Sequence, residues 1–157
     1  MKLPENMRIR KASISDVPSI GAIVNKQAET GIMLQRPLSL LYENIRDYAV
    51  IEADGEVVAC GALHVMWSDL AEIRAVAVSE EHRKKGVGRA LIEMLVDEAK
   101  NLGIESIFVL TYQVDFFKTL GFYDIDKSEL PHKIWKDCLN CVHFPDCDEI
   151  ALKMTVL

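Results

Sequence analysis

A basic segment that contains two glycines, residues 83–88, carries the strongest chemical signal in the sequence. Its sequence is RKKGVG, and it lies between a predicted strand and a predicted helix. The first N–H groups of a helix have no partner within the helix, and the helix dipole adds positive potential there. Glycine lets a ligand approach the backbone because it has no Cβ atom. We therefore expect this segment to hold a pyrophosphate. The residues expected to bind it are Arg83, Lys84, Lys85, Gly86, Val87, Gly88 and Arg89.

Two better-known phosphate motifs fit this segment poorly. A Walker A loop ends in Gly-Lys-Ser or Gly-Lys-Thr, whereas Gly88 is followed by Arg89 and Ala90. A dinucleotide-binding fingerprint needs a third glycine at the position that Leu91 occupies. The alternative to a phosphate site is an exposed basic turn that merely precedes a helix.

Length and composition are typical of a soluble protein with one domain. The chain has 157 residues and a net charge of −6, and we expect a single domain over 1–157. The negative charge argues against nucleic acid as a partner, because a phosphate backbone needs a basic face. No apolar run reaches the roughly 18 residues of a membrane span, and 1–9 lacks the apolar region of a signal peptide. We expect a cytoplasmic protein with no membrane partner.

The elements that must position the basic segment alternate between strands and helices. Strands are predicted over 7–12, 48–52, 57–66, 70–78, 106–111, 122–126 and 150–156. Helices are predicted over 15–29, 39–46, 88–101 and 114–120, with Ser15 and Ser39 as N-caps of the first two. The third has an apolar side formed by Leu91, Ile92, Leu95 and Ala99. Asp54 and Gly55 predict a hairpin. The order β-α-α-β-β-β-α-β-α-β-β indicates an α/β fold with a mixed central sheet flanked by helices.

The motif Arg83-x-x-Gly86-x-Gly88 after the strand 70–78 resembles the acetyl-CoA loop of the GNAT (GCN5-related N-acetyltransferase) superfamily. The element order is similar along nearly the whole chain, and 116–122 (FFKTLGF) resembles the family's later helix. The resemblance implies that strands 70–78 and 106–111 splay apart to hold the pantetheine arm of acetyl-CoA. It implies cofactor contacts from the backbone of Val76 and Val78 and from Phe117.

Acetyl transfer to an amine needs an unprotonated nitrogen, so a base assists at neutral pH. The resemblance implies that Glu72 is this base, and strand periodicity places Glu72 and Arg74 on one face. A structural pair between these two residues is the alternative. His64 on a neighbouring strand is a second candidate base. Many family members place a tyrosine acid at the position of Phe117, which cannot donate a proton; Tyr112 or water is expected to protonate the thiolate instead.

Several blocks together resemble the short, single-domain bacterial form of the N-acetylglutamate synthase family. The blocks are RPLS (36–39), LYENIRD (41–47), CGALH (60–64), DLAEIR (69–74), LTY (110–112) and LPHKIW (130–135). The resemblance implies acetyl transfer from acetyl-CoA to L-glutamate, the first step of arginine biosynthesis. Arg36, Arg74 and Lys133 are the candidate partners of the substrate carboxylates. Surface cations with no such role are the alternative for each.

Other functions and partners stay open from the sequence. The same fold can serve another small amine, another amino acid or a protein N-terminus as acceptor. A non-catalytic acyl-CoA-binding sensor is the alternative from a different class. The long synthases carry a regulatory kinase-like domain for which this chain has no room, so any arginine effect is expected to be direct or absent. Family habit suggests a possible homodimer.

The four cysteines fall into two groups. Cys60 lies in an apolar stretch and is expected to be a core residue. Near the C-terminus, Cys138, Cys141, His143 and Cys147 offer four plausible zinc ligands, but the second half of this pattern is unusually compact. We expect reduced thiols and no metal, with zinc as the alternative.

Overall fold

A mixed sheet of seven strands forms the centre of the described protein. The structure is a computed structural model, and it describes residues 3–28, 37–83, 86–130 and 150–157. The strands are β1 Met7–Lys11, β2 Tyr48–Ala53, β3 Glu56–Trp67, β4 Leu70–Val78, β5 Ser106–Thr111, β6 Tyr123–Asp124 and β7 Ile150–Thr155. They lie in the order β1-β2-β3-β4-β5-β7-β6. Every neighbouring pair is antiparallel except β4 and β5, which run parallel.

Four α-helices connect these strands within the described ranges. They are α1 Val17–Ala28, α2 Leu38–Glu43, α3 Val87–Leu102 and α4 Val114–Thr119. Short 3-10 turns lie at Ile14–Asp16, Ile45–Asp47, Glu80–His82 and Lys127–Glu129. The predicted order of strands and helices is confirmed. None of the described helices is long and apolar enough to cross a membrane.

The two longest helices pack on opposite faces of the sheet. Side chains alternate between faces along a strand, and on β2 Ile51 packs in the cluster of α3 while Val50 packs in the cluster of α1. The predicted apolar side of α3 is confirmed, because Leu91, Ile92, Leu95 and Ala99 are all buried. Cys60 is buried on the α1 face, as expected for a core residue.

Both predicted N-caps are wrong. Ser15 lies inside the turn Ile14–Asp16, and Ser13 precedes that turn with its backbone N–H donating to the Asp16 carboxylate at 2.7 Å. Asp16, three residues after Ser13, thus accepts the backbone N–H of the residue that precedes the turn, as the third residue does in a capping box. Ser39 is the second residue of α2, because the chain enters that helix directly after the extended Pro37. This helix ends at Glu43, and the rest of its predicted range forms the turn Ile45–Asp47.

The predicted hairpin between β2 and β3 is confirmed at its turn. Asp54 and Gly55 have φ values of 52° and 84°. Two consecutive residues with positive φ match the twist of the flanking strands, and Asp-Gly tolerates this conformation well.

A bulge in β4 reverses the alternation of its side chains. Ala75 has a φ of 57°, which is unusual for a residue other than glycine. The register with β3 shifts at the same place, between Cys60 and Ala62. Ile73 therefore faces α3, whereas Ala77 faces α1, although both have odd numbers. The bulge places Glu72 and Arg74 on one face and the side chains of Val76 and Val78 on the other.

Candidate active site

A gap opens between β4 and β5 because their ladder is short. The parallel pairing runs from Leu70 opposite Ser106 to Glu72 opposite Phe108 and then stops. Beyond this point β4 continues along β3, and β5 continues along β7. The backbone of Val76 and Val78 lies on the part of β4 beyond the ladder, where the resemblance predicted pairing with a pantetheine arm.

The N-terminus of α3 follows the open end of this gap. Gly86 precedes the helix with a φ of 76°, and its carbonyl accepts the N–H of Ala90 at 3.1 Å. A side chain at Gly86 would strain this conformation. The N–H groups of Val87, Gly88 and Arg89 belong to the first turn of the helix, where no partner within the helix exists. This is the geometry that an anionic group prefers.

Two of the predicted phosphate-binding cations lie within the described residues. Arg83 is exposed, and its Nε donates to the Val78 carbonyl at 3.3 Å, so its side chain lies back along the end of β4. Arg89 Nε donates to Glu93 Oε1 at 2.9 Å, which partly balances its charge. Lys84 and Lys85 lie outside the described residues.

Helix α4 packs against the first turn of α3. A Cβ atom built on Gly88 would come within 3.3 Å of the Phe116 ring, so the glycine allows this approach. Phe117, which was predicted at the cofactor, is 5% exposed and packs edge-on against Phe116 and Phe122. Phe117 thus lies in the core cluster that also contains Val87, the first residue of α3.

Tyr112 directly follows β5 and is partly exposed. Because β4 and β5 are parallel, their C-terminal ends lie at the same edge of the sheet. Tyr112 is therefore at the same edge as the N-terminus of α3.

A pair of opposite charges lies on β4, where the gap begins. Arg74 Nη1 is 3.6 Å from Glu72 Oε1, and both side chains are nearly buried. This contact agrees with the predicted placement of both residues on one face. The side chain of Glu72 points away from α3, because its neighbours Ala71 and Ile73 pack on that helix.

A second pair lies beside the first, on the adjacent strand. His64 Nδ1 is 2.6 Å from Asp47 Oδ2, which belongs to the turn Ile45–Asp47. His64 lies directly opposite Glu72 in the ladder of β3 and β4. Opposite residues of an antiparallel ladder project from the same face. Three elements thus bring His64, Asp47, Glu72 and Arg74 to one face of the sheet.

Some predicted site residues lie outside the described residues, and some features of the site were missed. Arg36, Lys133 and the cluster of Cys138, Cys141, His143 and Cys147 are not among the described residues. Across the ranges that the structure does describe, no three His, Cys, Asp or Glu residues are grouped to hold a metal ion. The sequence did not predict a role for Asp47 or the bulge at Ala75. Asp47 and His64 belong to two of the segments that resemble the synthase family (41–47 and 60–64), but nothing in the sequence indicates that the two side chains are in contact.

Known proteins with similar sequences are N-acetyltransferases. The family model described as "Acetyltransferase (GNAT) family" matches residues 25–123. An uncharacterised N-acetyltransferase from Chlorobaculum tepidum is 41% identical over 148 residues, which cover 94% of this chain and 96% of that protein. The amino-acid acetyltransferase of Mycobacterium tuberculosis is 39% identical over 132 residues, which cover 82% and 75% of the two chains.

Two crystal structures share the fold along nearly the whole chain. Rv2747 from M. tuberculosis, in complex with CoA and NLQ, has a TM-score of 0.82 and 33% identity, covering 96% of this chain and 99% of that one. N-acetylglutamate synthase from Neisseria gonorrhoeae, complexed with CoA and N-acetyl-glutamate, has a TM-score of 0.87 and 29% identity. The match covers 96% of this chain and 35% of the synthase.

These similarities agree with the geometry of the site, which has a gap between two parallel strands and a helix N-terminus at its open end. Together they define an acyltransferase. The chain belongs to the acetyltransferase (GNAT) family. The predicted superfamily and fold are confirmed, as is the prediction of an N-acetyltransferase that uses acetyl-CoA.

Proposed function

We propose that this protein, as a single domain over 1–157, transfers the acetyl group of acetyl-CoA to the α-amine of L-glutamate. The observation that carries the proposal is the similarity to the N. gonorrhoeae synthase in complex with CoA and N-acetyl-glutamate, at a TM-score of 0.87. The 39% identity to an amino-acid acetyltransferase supports an amino acid as the acceptor. The product, N-acetyl-L-glutamate, belongs to the first step of arginine biosynthesis.

The donor enters the gap from its open end. Its pyrophosphate binds the N-terminus of α3, together with Arg83 and the two following lysines that the sequence predicts for this role. The pantetheine arm runs beside the backbone of Val76 and Val78. Because the ladder closes at Glu72 and Phe108, the thioester comes to rest near the side chain of Glu72.

The acceptor lies on the face that carries Glu72 and Arg74. The Arg74 guanidinium is nearly buried, and in such a place it can hold a carboxylate through two parallel hydrogen bonds. Arg36 and Lys133 are proposed, from the sequence, as partners of the remaining carboxylate. Two cationic contacts then distinguish glutamate from amino acids with an uncharged side chain.

The nitrogen lone pair attacks the thioester carbonyl, and the thiolate of CoA leaves as the tetrahedral intermediate collapses. During this transfer Glu72 accepts a proton from the acceptor nitrogen, directly or through a water molecule. Tyr112, at the same sheet edge as the open end of the gap, is the proposed donor of a proton to the thiolate. Water is the alternative donor, since a thiolate is already a good leaving group.

A second candidate function, acetylation of a different α-amino acid, is favoured by one observation. Arg74 is already 3.6 Å from Glu72, so part of its charge is balanced within the protein. A cation shared in this way suits an acceptor with a single carboxylate. The reaction is otherwise unchanged.

A thiol-release assay with acetyl-CoA and a panel of amines tests the proposal. The panel contains glutamate, aspartate, glutamine, leucine, lysine and a polyamine, with glutamine as the match that lacks one charge. Loss of one charged hydrogen bond costs about 1.5–3 kcal/mol, so glutamate should exceed glutamine in kcat/KM by roughly 10- to 100-fold.

Two other results of this assay would each favour a different function. Equal turnover of glutamate and leucine would end the glutamate assignment and support the second candidate. Tight binding of acetyl-CoA without turnover of any amine would support the sensor alternative.

A further inference from the structure

Asp47 and His64 form a hydrogen-bonded pair that has no role in the function proposed above. The contact between His64 Nδ1 and Asp47 Oδ2 is short, at 2.6 Å, and it joins residues 17 positions apart. The pairing of β3 with β4 is regular at this point, with Ala62 opposite Arg74 and His64 opposite Glu72. The imidazole therefore projects from the face on which the acceptor is proposed to lie.

The carboxylate at Nδ1 determines what the other ring nitrogen can do. A carboxylate accepts a hydrogen bond and favours the tautomer with a proton on Nδ1, which places the lone pair on Nε2. A histidine held in this way is equipped to accept a proton during a reaction.

The reaction requires two protons to leave the acceptor nitrogen. An ammonium group has three N–H bonds and the amide product has one. One proton must leave before the C–N bond can form. The second leaves when the tetrahedral intermediate collapses and the C–S bond breaks, and the thiolate takes up one proton to become the CoA thiol. The remaining proton goes to solvent.

The Glu72–Arg74 pair and the His64–Asp47 pair, which both face this nitrogen, differ in solvent exposure. The side chains of Glu72 and Arg74 are 11% and 12% exposed, whereas those of His64 and Asp47 are 31% and 25% exposed. The more exposed group is the one that can hand a proton to bulk water. The nearly buried group is the one that can keep a proton in the site and restore the proton that Tyr112 gives to the thiolate.

We propose that His64, held by Asp47, accepts the proton of the acceptor ammonium and releases it to solvent, while Glu72 accepts the second proton. The charged groups that face the imidazole in this arrangement are Asp47 from the turn before β2 and Glu72 and Arg74 from β4. The inference rests on the proposed function, because it needs an amine acceptor on this face.

The test compares His64→Gln, Asp47→Asn and the double variant with the wild type, using its best acceptor from the panel. We expect His64→Gln to lower kcat by about 10²-fold near pH 7. The loss should shrink as the pH approaches the acceptor's own pKa, because the amine then arrives unprotonated. The kcat of the double variant should be no lower than that of His64→Gln alone, because the two residues act as a unit.

Controls separate this role from a structural one. Val65→Thr changes the next residue of β3, on the other face, and should leave kcat unchanged. Calorimetric binding of acetyl-CoA should be the same for all variants, and thermal unfolding shows that each is folded. A kcat for His64→Gln that equals wild type, or a loss that is the same at every pH, would overturn the inference. The wild-type preference for glutamate is measured separately, so either proposal can fail without the other.

Discussion

Glu72 is a carboxylate on a strand whose other residues, apart from Arg74, are apolar. A buried charge without a partner is costly, and here the Arg74 guanidinium lies 3.6 Å away. The pair alone is compatible with a structural role. If Glu72 is instead the catalytic base, the rate of the reaction depends on its ability to take up a proton. A purely structural pair does not make the rate depend on this ability.

Replacing Glu72 with glutamine tests this consequence directly. Glutamine has nearly the same shape but cannot act as a base, so kcat should fall by about 10²-fold or more at neutral pH. The KM for acetyl-CoA should change little, because the proposed donor site is formed by the loop and the backbone of β4 and not by this side chain. Thiol-release kinetics between pH 6 and 9.5 measure both parameters.

The exposed Glu105→Gln is the matched control for this substitution and should behave like wild type. A pH–rate profile of Glu72→Gln with the same shape and height as that of wild type would remove Glu72 from the role of base.

Some of this chemistry was predictable residue by residue, and some was not. Period-two alternation was enough to place Glu72 and Arg74 together. The Asp47–His64 contact was not predictable, since it depends on a turn that was expected to be the end of a helix. Residues from distant elements meet only through tertiary structure.

At the scale of elements, boundaries followed from periodicity wherever the pattern was strong. Helix α3 was predicted over 88–101 and spans Val87–Leu102, and the bounds of β4 and β5 were predicted correctly. The bulge at Ala75 was missed, because alanine carries no signal for a positive φ and the strand stays apolar through the bulge. That bulge decides which side chains of β4 lie on the face proposed for the acceptor.

The two ends of α3 offer a matched pair of substitutions. Gly86 and Gly103 flank the helix with φ values of 76° and 80°. Alanine in this conformation costs about 1–2 kcal/mol, so both Gly86→Ala and Gly103→Ala should lower the free energy of unfolding similarly. Only Gly86→Ala should also raise the KM for acetyl-CoA, by roughly 10-fold, because it alters the N–H groups that are proposed to hold the pyrophosphate.

Urea denaturation and donor titration measure the two effects separately. Gly103→Ala is informative because nothing lies within 4 Å of the added Cβ atom, so strain is its main effect. An equal rise of the donor KM in both variants would mean that helix stability, and not loop geometry, controls acetyl-CoA binding.

At the scale of the whole molecule, one ionic network joins the edge of the sheet to the α1 layer. Arg10 on β1 contacts Asp16 at 2.7 Å, just before α1, and Glu52 on β2 at 3.4 Å. Arg8 contacts the other Glu52 oxygen at 2.6 Å. These contacts link three elements that meet only in the folded chain, so folding and the ionisation of Asp16 are coupled.

The hydrogen bonds from Arg10 lower the pKa of Asp16 from 3.8 to about 2, although burial of the carboxyl opposes the shift. The backbone N–H of Ser13 acts in the same direction as Arg10. A lowered pKa in the folded state gives stability that is complete above the unfolded value of 3.8 and is lost as the pH falls towards 2. The shift corresponds to about 2 kcal/mol.

Asp16→Asn should therefore destabilise the protein by about 2 kcal/mol at pH 7, since asparagine cannot form the charged pair with Arg10. It should also make the free energy of unfolding depend less on pH below 4, because one of the carboxylates that must be protonated has been removed. Urea denaturation at several pH values from 7 to 3 measures both effects, with the exposed Asp97→Asn as control. If the curves of Asp16→Asn and wild type stay parallel down to pH 3, the Arg10–Asp16 pair is not the link between acidity and stability. Acid unfolding would then have to begin at other carboxylates.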